Sequence, residues 1–114
     1  LKKLKSRKHI LAIVTSKDLI RTNKFLGKNN KLFSVIKCDK KNNKGKPYPY
    51  NINEVIKLMN VKKSQCIYIG DTYIDYQTAK NSRIDFLFAK WGYGADRGYK
   101  YVCSRITDLP NFLN

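Results

Sequence analysis

The sequence has little negative charge. Only 8 Asp and Glu residues stand against 24 Lys and Arg residues in a chain of 114, which gives a formal net charge of +16. It also lacks any apolar stretch close to the roughly 18 residues that a membrane-spanning helix requires, so the sequence predicts no membrane span. A disordered basic tail is excluded as well, because 42% of the residues are hydrophobic. The composition indicates one small globular domain or part of one.

Cysteine and histidine are scarce. The chain has three cysteines, Cys38, Cys66 and Cys103, and one histidine, His9. No two cysteines form a C-x-x-C pair, and an odd number cannot be paired completely. The sequence therefore predicts neither a zinc site nor a disulfide framework, and reduced cysteines are typical of a cytoplasmic protein.

The positive charge is spread along the whole chain. Only five of the 24 basic residues are arginine, and no stripe of basic and aromatic residues repeats at helical or strand spacing. A protein that follows a phosphate backbone needs clustered positive charge. The distribution therefore argues against a nucleic-acid partner, although a basic nucleic-acid binder stays open as an alternative. The densest cluster of lysines, residues 37–46, is expected to form a solvated loop.

Apolar runs alternate with helical patterns along the chain. The runs predict strands at 10–15, 33–38, 66–69, 85–89 and 101–103. Caps and helical spacing predict helices at 17–26, from 51 or 53 to 59, at 74–81 and at 106–113. This order predicts a single α/β domain of three layers, in which a Rossmann-like parallel sheet carries helices on both faces. Ligands are then expected at the carboxyl ends of the strands.

Two carboxylates follow the third predicted strand. Asp71 comes directly after the strand, and Asp75 lies one turn into the next helix, so both can face the same crevice. Carboxylate oxygens suit a hard cation such as Mg²⁺. In the alternative interpretation, Asp71 is only the N-cap of the helix and Asp75 is a solvated helix residue.

A lysine and a pair of hydroxyl groups lie at two other positions where a ligand could bind. Pro47 and Pro49 fix the backbone after Lys46, so its ammonium can be aimed at bound phosphate. Thr15 and Ser16 follow the first strand at a helix start, where hydroxyl and backbone N–H groups can bind anionic oxygens. The alternatives are one more exposed lysine and a plain helix cap.

Three segments, in their order and spacing, resemble the later motifs of the haloacid dehalogenase-like (HAD) hydrolases. They are Ile13-Val14-Thr15-Ser16-Lys17, Gly45-Lys46-Pro47-Tyr48-Pro49 and Tyr68-Ile69-Gly70-Asp71-Thr72-Tyr73-Ile74-Asp75. Lys-Pro-x-Pro followed 25 residues later by Gly-Asp-x-x-x-Asp is more specific than either half. The segment Trp91-Gly92-Tyr93-Gly94 is similar to a loop that commonly follows the last motif in the phosphoglycolate phosphatase-like branch.

The resemblance implies a Mg²⁺-dependent phosphomonoester hydrolase that acts on a small phosphorylated metabolite through an aspartyl-phosphate. Thr15 would hydrogen-bond a phosphoryl oxygen, with Ser16 beside it in the phosphate site. Lys46 would hold the phosphate and the nucleophile. Asp71 and Asp75 would form the metal site, in which Asp75 supports either the metal or the lysine.

The first motif of these enzymes is absent. None of the eight acidic residues forms the Asp-x-Asp pair that supplies the nucleophile and the acid/base in the family. The sequence also begins at Leu1, with neither an initiator Met nor the cleavage pattern of a signal peptide. We therefore expect residues 1–114 to be the C-terminal part of a HAD-like core that lacks the first strand and the cap domain and is inactive alone.

Two alternatives share this fold. One is a haloacid dehalogenase, which needs no metal, and the Asp71 and Asp75 pair favours the metal-dependent branch over it. The other is an inactive remnant or binding module that keeps the fold after losing the first motif.

Overall fold

The structure is a computed structural model that describes residues 2–6, 9–15, 19–38 and 45–113. In these residues five strands alternate with helices, which confirms the predicted α/β class. The strands are β1 Ala12–Thr15, β2 Val35–Cys38, β3 Ile67–Gly70, β4 Asp85–Ala89 and β5 Tyr101–Cys103. The helices are α1 Lys2–Ser6, α2 Leu19–Leu26, α3 Tyr50–Met59, α4 Tyr73–Ser82 and α5 Leu109–Phe112. Short 3₁₀ turns lie at Gly27–Leu32, Lys63–Gln65 and Ile106–Asp108.

All the strand pairs are parallel, as predicted, but they form two groups. In the first group β1 pairs with β2, from Ala12 opposite Val35 to Thr15 opposite Cys38. In the second, β4 lies between β3 and β5. Within the described residues, β1 and β3 each pair along one edge only.

Helices cover both faces, so the chain forms the three layers that the sequence predicts. On one face α3 packs against β1 and β2, α4 packs against β3 and β4, and the two helices contact each other. This face includes a cluster of buried Ala79, Phe86 and Phe88. The other face contains a cluster that includes Leu4 of α1 and Leu109 of α5. None of the described helices is long and apolar enough to cross a membrane.

One helix end agrees with the sequence prediction and one helix start differs. Helix α2 ends at Leu26, as predicted, and Gly27 follows it with a φ of +55° at the start of a 3₁₀ turn that runs to Leu32. The next helix begins at Tyr50 rather than at an asparagine, because Pro49 already has helical backbone angles and occupies the N-cap position. Ser16, which the sequence predicts as the cap of the preceding helix, lies outside the described residues.

Candidate active site

The turn between β3 and α4 is closed by a reciprocal cap. The Thr72 hydroxyl accepts a hydrogen bond from the Asp75 N–H at 3.1 Å, and Asp75 Oδ2 accepts one from the Thr72 N–H at 3.3 Å. Such a capping box satisfies N–H groups that lack partners at a helix start. The alternative in which Asp71 caps the helix and Asp75 is solvated is therefore wrong, because Thr72 is the cap and Asp75 is only 5% exposed.

The Lys46 ammonium contacts the same carboxylate. Its Nζ lies 2.7 Å from Asp75 Oδ1, and the exposed fractions of the two side chains are 23% and 8%. A short N···O distance between charged groups is typical of a charge-assisted hydrogen bond. The interpretation of Lys46 as one more exposed lysine is wrong, because its side chain is largely buried and paired.

Further donors surround the Asp75 carboxylate. The Tyr68 hydroxyl donates to Oδ1 at 3.4 Å, and the Asp71 N–H donates to Oδ2 at 3.2 Å. The Tyr68 ring also lies 5.6 Å from Lys46 Nζ, which is within the range of a cation–π contact. Both oxygens of Asp75 are thus engaged by groups of this chain.

These contacts favour the charged forms of the pair. Burial alone would lower the pKa of Lys46, but Tyr68 and Asp75 outweigh it, so the pKa is raised above 10.5. Burial alone would raise the pKa of Asp75, but Lys46 together with the hydrogen bonds from Thr72 and Asp71 lowers it below 3.8. Burial raises the pKa of Tyr68 to about 12, so this hydroxyl remains a hydrogen-bond donor at neutral pH.

The segment that carries Lys46 is attached to α4 at a second point. Asn81 Nδ2 donates to the Pro47 carbonyl at 2.8 Å. The Lys46–Pro47 peptide bond is cis. Contacts on both sides of this bond therefore hold the segment against α4. That the Lys46 ammonium is aimed at bound phosphate stays a prediction.

Asp71 has a different environment. Its Oδ2 accepts a hydrogen bond from the Tyr93 N–H at 2.9 Å, and in the described part of the chain Oδ1 has no hydrogen-bond donor. Asp71 is half-buried, whereas Asp75 is buried. The two carboxylates therefore differ, since Asp75 is fully engaged and Asp71 has one oxygen available to a ligand.

This donor set fits Mg²⁺ in part. Mg²⁺ is often held by one or two carboxylates together with waters and substrate phosphate oxygens, and Asp71 can supply one such ligand. The Asp75 oxygens are already used by Lys46, Tyr68 and backbone N–H groups. Among the described residues, no three His, Cys, Asp or Glu side chains form a group that could hold a metal ion.

Thr15 is the last residue of β1 and is half-buried. It lies opposite Cys38 at the carboxyl end of the β1–β2 pair, which is where the sequence predicts it. Ser16 lies outside the described residues. That Thr15 shares one phosphate site with Lys46 and Asp71 stays a prediction.

Two residues of this site were not anticipated from the sequence. Thr72 belongs to a Thr-x-x-Asp capping pattern, which is a recognisable signal for a helix start. Tyr68 faces α4, whereas Ile67 and Ile69 pack into the cluster on the other side of the sheet. The two-residue period of a strand could have assigned these faces.

Comparisons with known proteins identify the family. The family model described as haloacid dehalogenase-like hydrolase matches residues 1–89. The chain belongs to this family. The HAD resemblance seen in the sequence is confirmed.

Solved structures agree with this assignment. A candidate phosphoglycolate phosphatase from Lactobacillus delbrueckii subsp. bulgaricus is 26% identical, with a TM-score of 0.89 over 98% of this chain and 49% of that one. A HAD-superfamily hydrolase from Geobacter sulfurreducens is 18% identical, with a TM-score of 0.82 over 98% and 56%. A candidate beta-phosphoglucomutase from Thermotoga maritima is 19% identical, with a TM-score of 0.85 over 97% and 55%.

The chain spans about half the length of the solved structures it matches. A comparison with curated protein sequences gives no significant match. The similar structures carry the names of different activities on one fold, so the chemistry of this HAD chain has to be argued from its own residues.

Proposed function

We propose that this chain forms part of a Mg²⁺-dependent phosphomonoester hydrolase that acts on a small phosphorylated metabolite. The observation that carries the proposal is the Lys46–Asp75 ion pair beside Asp71, which puts a fixed ammonium and an available carboxylate oxygen at the end of one strand. A preorganised cation stabilises the charge that develops on a transferring phosphoryl group.

Each residue has a role in this proposal. Lys46 holds a phosphoryl oxygen and the nucleophile, and Asp75 fixes the lysine. Thr15, with Ser16, hydrogen-bonds the phosphate, and Asp71 is the ligand that this chain gives to Mg²⁺. When bound, Mg²⁺ would neutralise phosphate charge and orient the ester for in-line attack.

The nucleophile has to come from another segment, because the chain contains no Asp-x-Asp pair. The proposed reaction is attack of an aspartate on phosphorus to give an aspartyl-phosphate, which water then hydrolyses. The strand arrangement supports a further strand, since β1 and β3 each have an edge without a partner in the described residues. All four residues of each of these strands are only half-buried, whereas four of the five residues of β4 are buried.

The experiment is to read the coding sequence upstream of Leu1, purify its complete product and measure hydrolysis of p-nitrophenyl phosphate and a panel of small phosphomonoesters with Mg²⁺. We expect an in-frame Asp-x-Asp and turnover by the product. Lys46→Met and Asp71→Asn should each reduce turnover by about a hundredfold or more, because the first removes a cation that stabilises the phosphate and the second removes a charged ligand of Mg²⁺. Lys57→Met is the matched control, since Lys57 is an exposed lysine on the opposite end of α3 from the site.

Three outcomes would contradict the proposal. A folded product that hydrolyses none of these esters would contradict the activity, and ester hydrolysis that survives EDTA would contradict the dependence on Mg²⁺. Turnover by purified residues 1–114 that is abolished by Asp71→Asn would contradict the expectation that the chain alone is inactive.

A further inference from the structure

The segment Trp91–Gly94, here called the WGYG loop, is prominent in the sequence but has no role in the reaction described so far. It follows β4, whose residues Leu87, Phe88 and Ala89 are at most 4% exposed. The Lys90 N–H donates to the Cys103 carbonyl of β5 at 2.9 Å. The WGYG loop therefore starts from a rigid, buried strand.

The loop folds back onto the end of the neighbouring strand. In the β3–β4 register Gly70 lies opposite Phe88, so Asp71 comes next to the point where the loop leaves β4. The Gly92 N–H donates to the Ala89 carbonyl at 3.1 Å and closes a turn. The next N–H, that of Tyr93, donates to Asp71 Oδ2 at 2.9 Å.

Both glycines of the loop are needed for close approach to Asp71. A Cβ at Gly92 would overlap the Asp71 carboxylate, and a Cβ at Gly94 would overlap the Asp71 carbonyl. Among the described glycines, positive φ values occur only at Gly27 and Gly98. The reason for glycine at 92 and 94 is therefore contact with Asp71 and not an unusual backbone conformation.

The Tyr93 side chain takes no part in these contacts. It is 102% exposed, as if it stood alone in solvent. Packing of the ring into the core therefore does not explain the path of the loop. The contacts between the loop and Asp71 are made by the loop backbone.

We propose that the WGYG loop is a positioning element for Asp71, which holds Oδ2 with the Tyr93 N–H and leaves Oδ1 for a divalent cation. The inference rests on the proposed function, because it takes Asp71 as the ligand to Mg²⁺. Hydrogen-bonding partners that orient a metal ligand change metal affinity by about 10–100-fold when they are removed. The loop should therefore control how tightly the cation binds as well as how stable the fold is.

The test is direct binding of Mn²⁺, a spectroscopic probe for the Mg²⁺ site, followed by electron paramagnetic resonance in the complete gene product. Tyr93→Pro removes the N–H donor, whereas Tyr93→Ala removes the same ring and keeps the donor. We expect the proline variant to bind Mn²⁺ about tenfold or more weakly than the alanine variant.

A glycine pair gives a second, independent comparison if the proline variant does not fold. Gly92→Ala puts a methyl group against the Asp71 carboxylate, and we expect it to weaken Mn²⁺ binding about tenfold. Gly98→Ala is the matched control, because Gly98 has a φ of +84° but no atom within 4 Å of its added Cβ. It strains the backbone between the WGYG loop and β5 without reaching Asp71, so it should lower the melting temperature and leave Mn²⁺ affinity unchanged.

The outcomes separate this inference from the proposed function. Equal Mn²⁺ affinity in the Tyr93→Pro and Tyr93→Ala variants, or equal weakening by Gly92→Ala and Gly98→Ala, would overturn the inference. Mn²⁺ binding that is the same in the unaltered protein and in Asp71→Asn would overturn Asp71 as the ligand, and with it the proposed metal site.

Discussion

Two lysine–carboxylate pairs differ in which partner is buried. At the candidate site, Lys46 Nζ lies 2.7 Å from Asp75, whose side chain is 8% exposed. In the scaffold, Lys37 Nζ lies 3.0 Å from Glu54, and there the lysine is 9% exposed and the carboxylate 35%. The first pair buries its carboxylate in the first turn of α4, whereas the second buries its lysine within β2.

The surroundings of the buried partner explain the difference. The Asp75 carboxylate receives a hydroxyl and two backbone N–H groups in addition to Lys46. The buried Lys37 has the Tyr50 ring 5.8 Å from its Nζ, and its ion-pair partner Glu54 reaches solvent. A charge held by several fixed donors is suited to positioning another group. A lysine whose stem is covered by a helix mainly contributes packing.

The largest expected effect on stability comes from a change to the Lys46–Asp75 pair at the candidate site. Asp75→Asn leaves the largely buried Lys46 without a charged partner, so we expect it to lower the free energy of unfolding by about 3 kcal/mol. Glu54→Gln also leaves the buried Lys37 without a charged partner, but the Gln oxygen can still accept from the lysine, whereas both oxygens of Asp75 are needed as acceptors. We therefore expect a smaller cost, of about 1–2 kcal/mol, for Glu54→Gln. Urea unfolding of the two variants beside the unaltered protein measures both values. An equal or larger cost for Glu54→Gln would contradict the contrast between the pairs.

The pH dependence of the site pair gives a smaller effect. The pKa of Asp75 is lower in the folded than in the unfolded protein, so its contribution to stability is present above the unfolded value of about 3.9 and is lost as the pH falls through the folded value. The pKa of Lys46 is raised, so its contribution is present below about 10.5 and is lost as the pH rises further.

We expect this loss of stability at low pH to be seen when the free energy of unfolding is measured between pH 2 and pH 7 for the unaltered protein and for Asp75→Asn. The gap between the two proteins should be constant from about pH 5 to pH 7 and should narrow below about pH 4. A gap that widens on acidification would show that the carboxylate is not held in its charged form.

Much of the fold follows from local patterns in the sequence. Apolar runs identify the strands because residues that pack between two helical layers must be apolar on both faces. The same patterns do not show whether the strands form one continuous sheet, because an apolar run does not specify which strand pairs with it. The division between β1–β2 and β3–β5 therefore needed the structure.

The two ion pairs show the same limit at the level of side chains. The sequence placed Lys46 before one helix and Asp75 one turn into another, and the family resemblance offered Asp75 as support for either the metal or the lysine. Spacing along the chain cannot choose between these roles, because the choice depends on contacts between distant segments. The geometry favours the lysine, and the role of Asp75 at the metal stays a prediction.

The sequence analysis made two predictions for Lys37. The predicted strand at 33–38 includes this residue and is confirmed, whereas the expectation that the lysine cluster 37–46 forms a solvated loop is wrong for Lys37, which lies in β2 and is buried. A local signal was present, since Tyr50 and Glu54 are four residues apart and lie on one side of α3, where they can cover such a lysine. Charge density alone gave the wrong answer because strand pairing and helix packing outweigh the cost of burying one paired ammonium.

The smallest expected effect concerns that lysine. Lys37→Met replaces the ammonium with an apolar group of similar length and leaves Glu54 able to reach solvent, so the free energy of unfolding should change by less than about 1 kcal/mol. Hydrolysis by the complete gene product should stay within about twofold, because Lys37 pairs with Glu54 and not with Asp75. Urea unfolding and phosphomonoester hydrolysis of this variant, measured beside Lys46→Met, check both statements. A loss of hydrolysis comparable to that of Lys46→Met would place Lys37 in the phosphate site, and the two pairs would then be parts of one charged cluster.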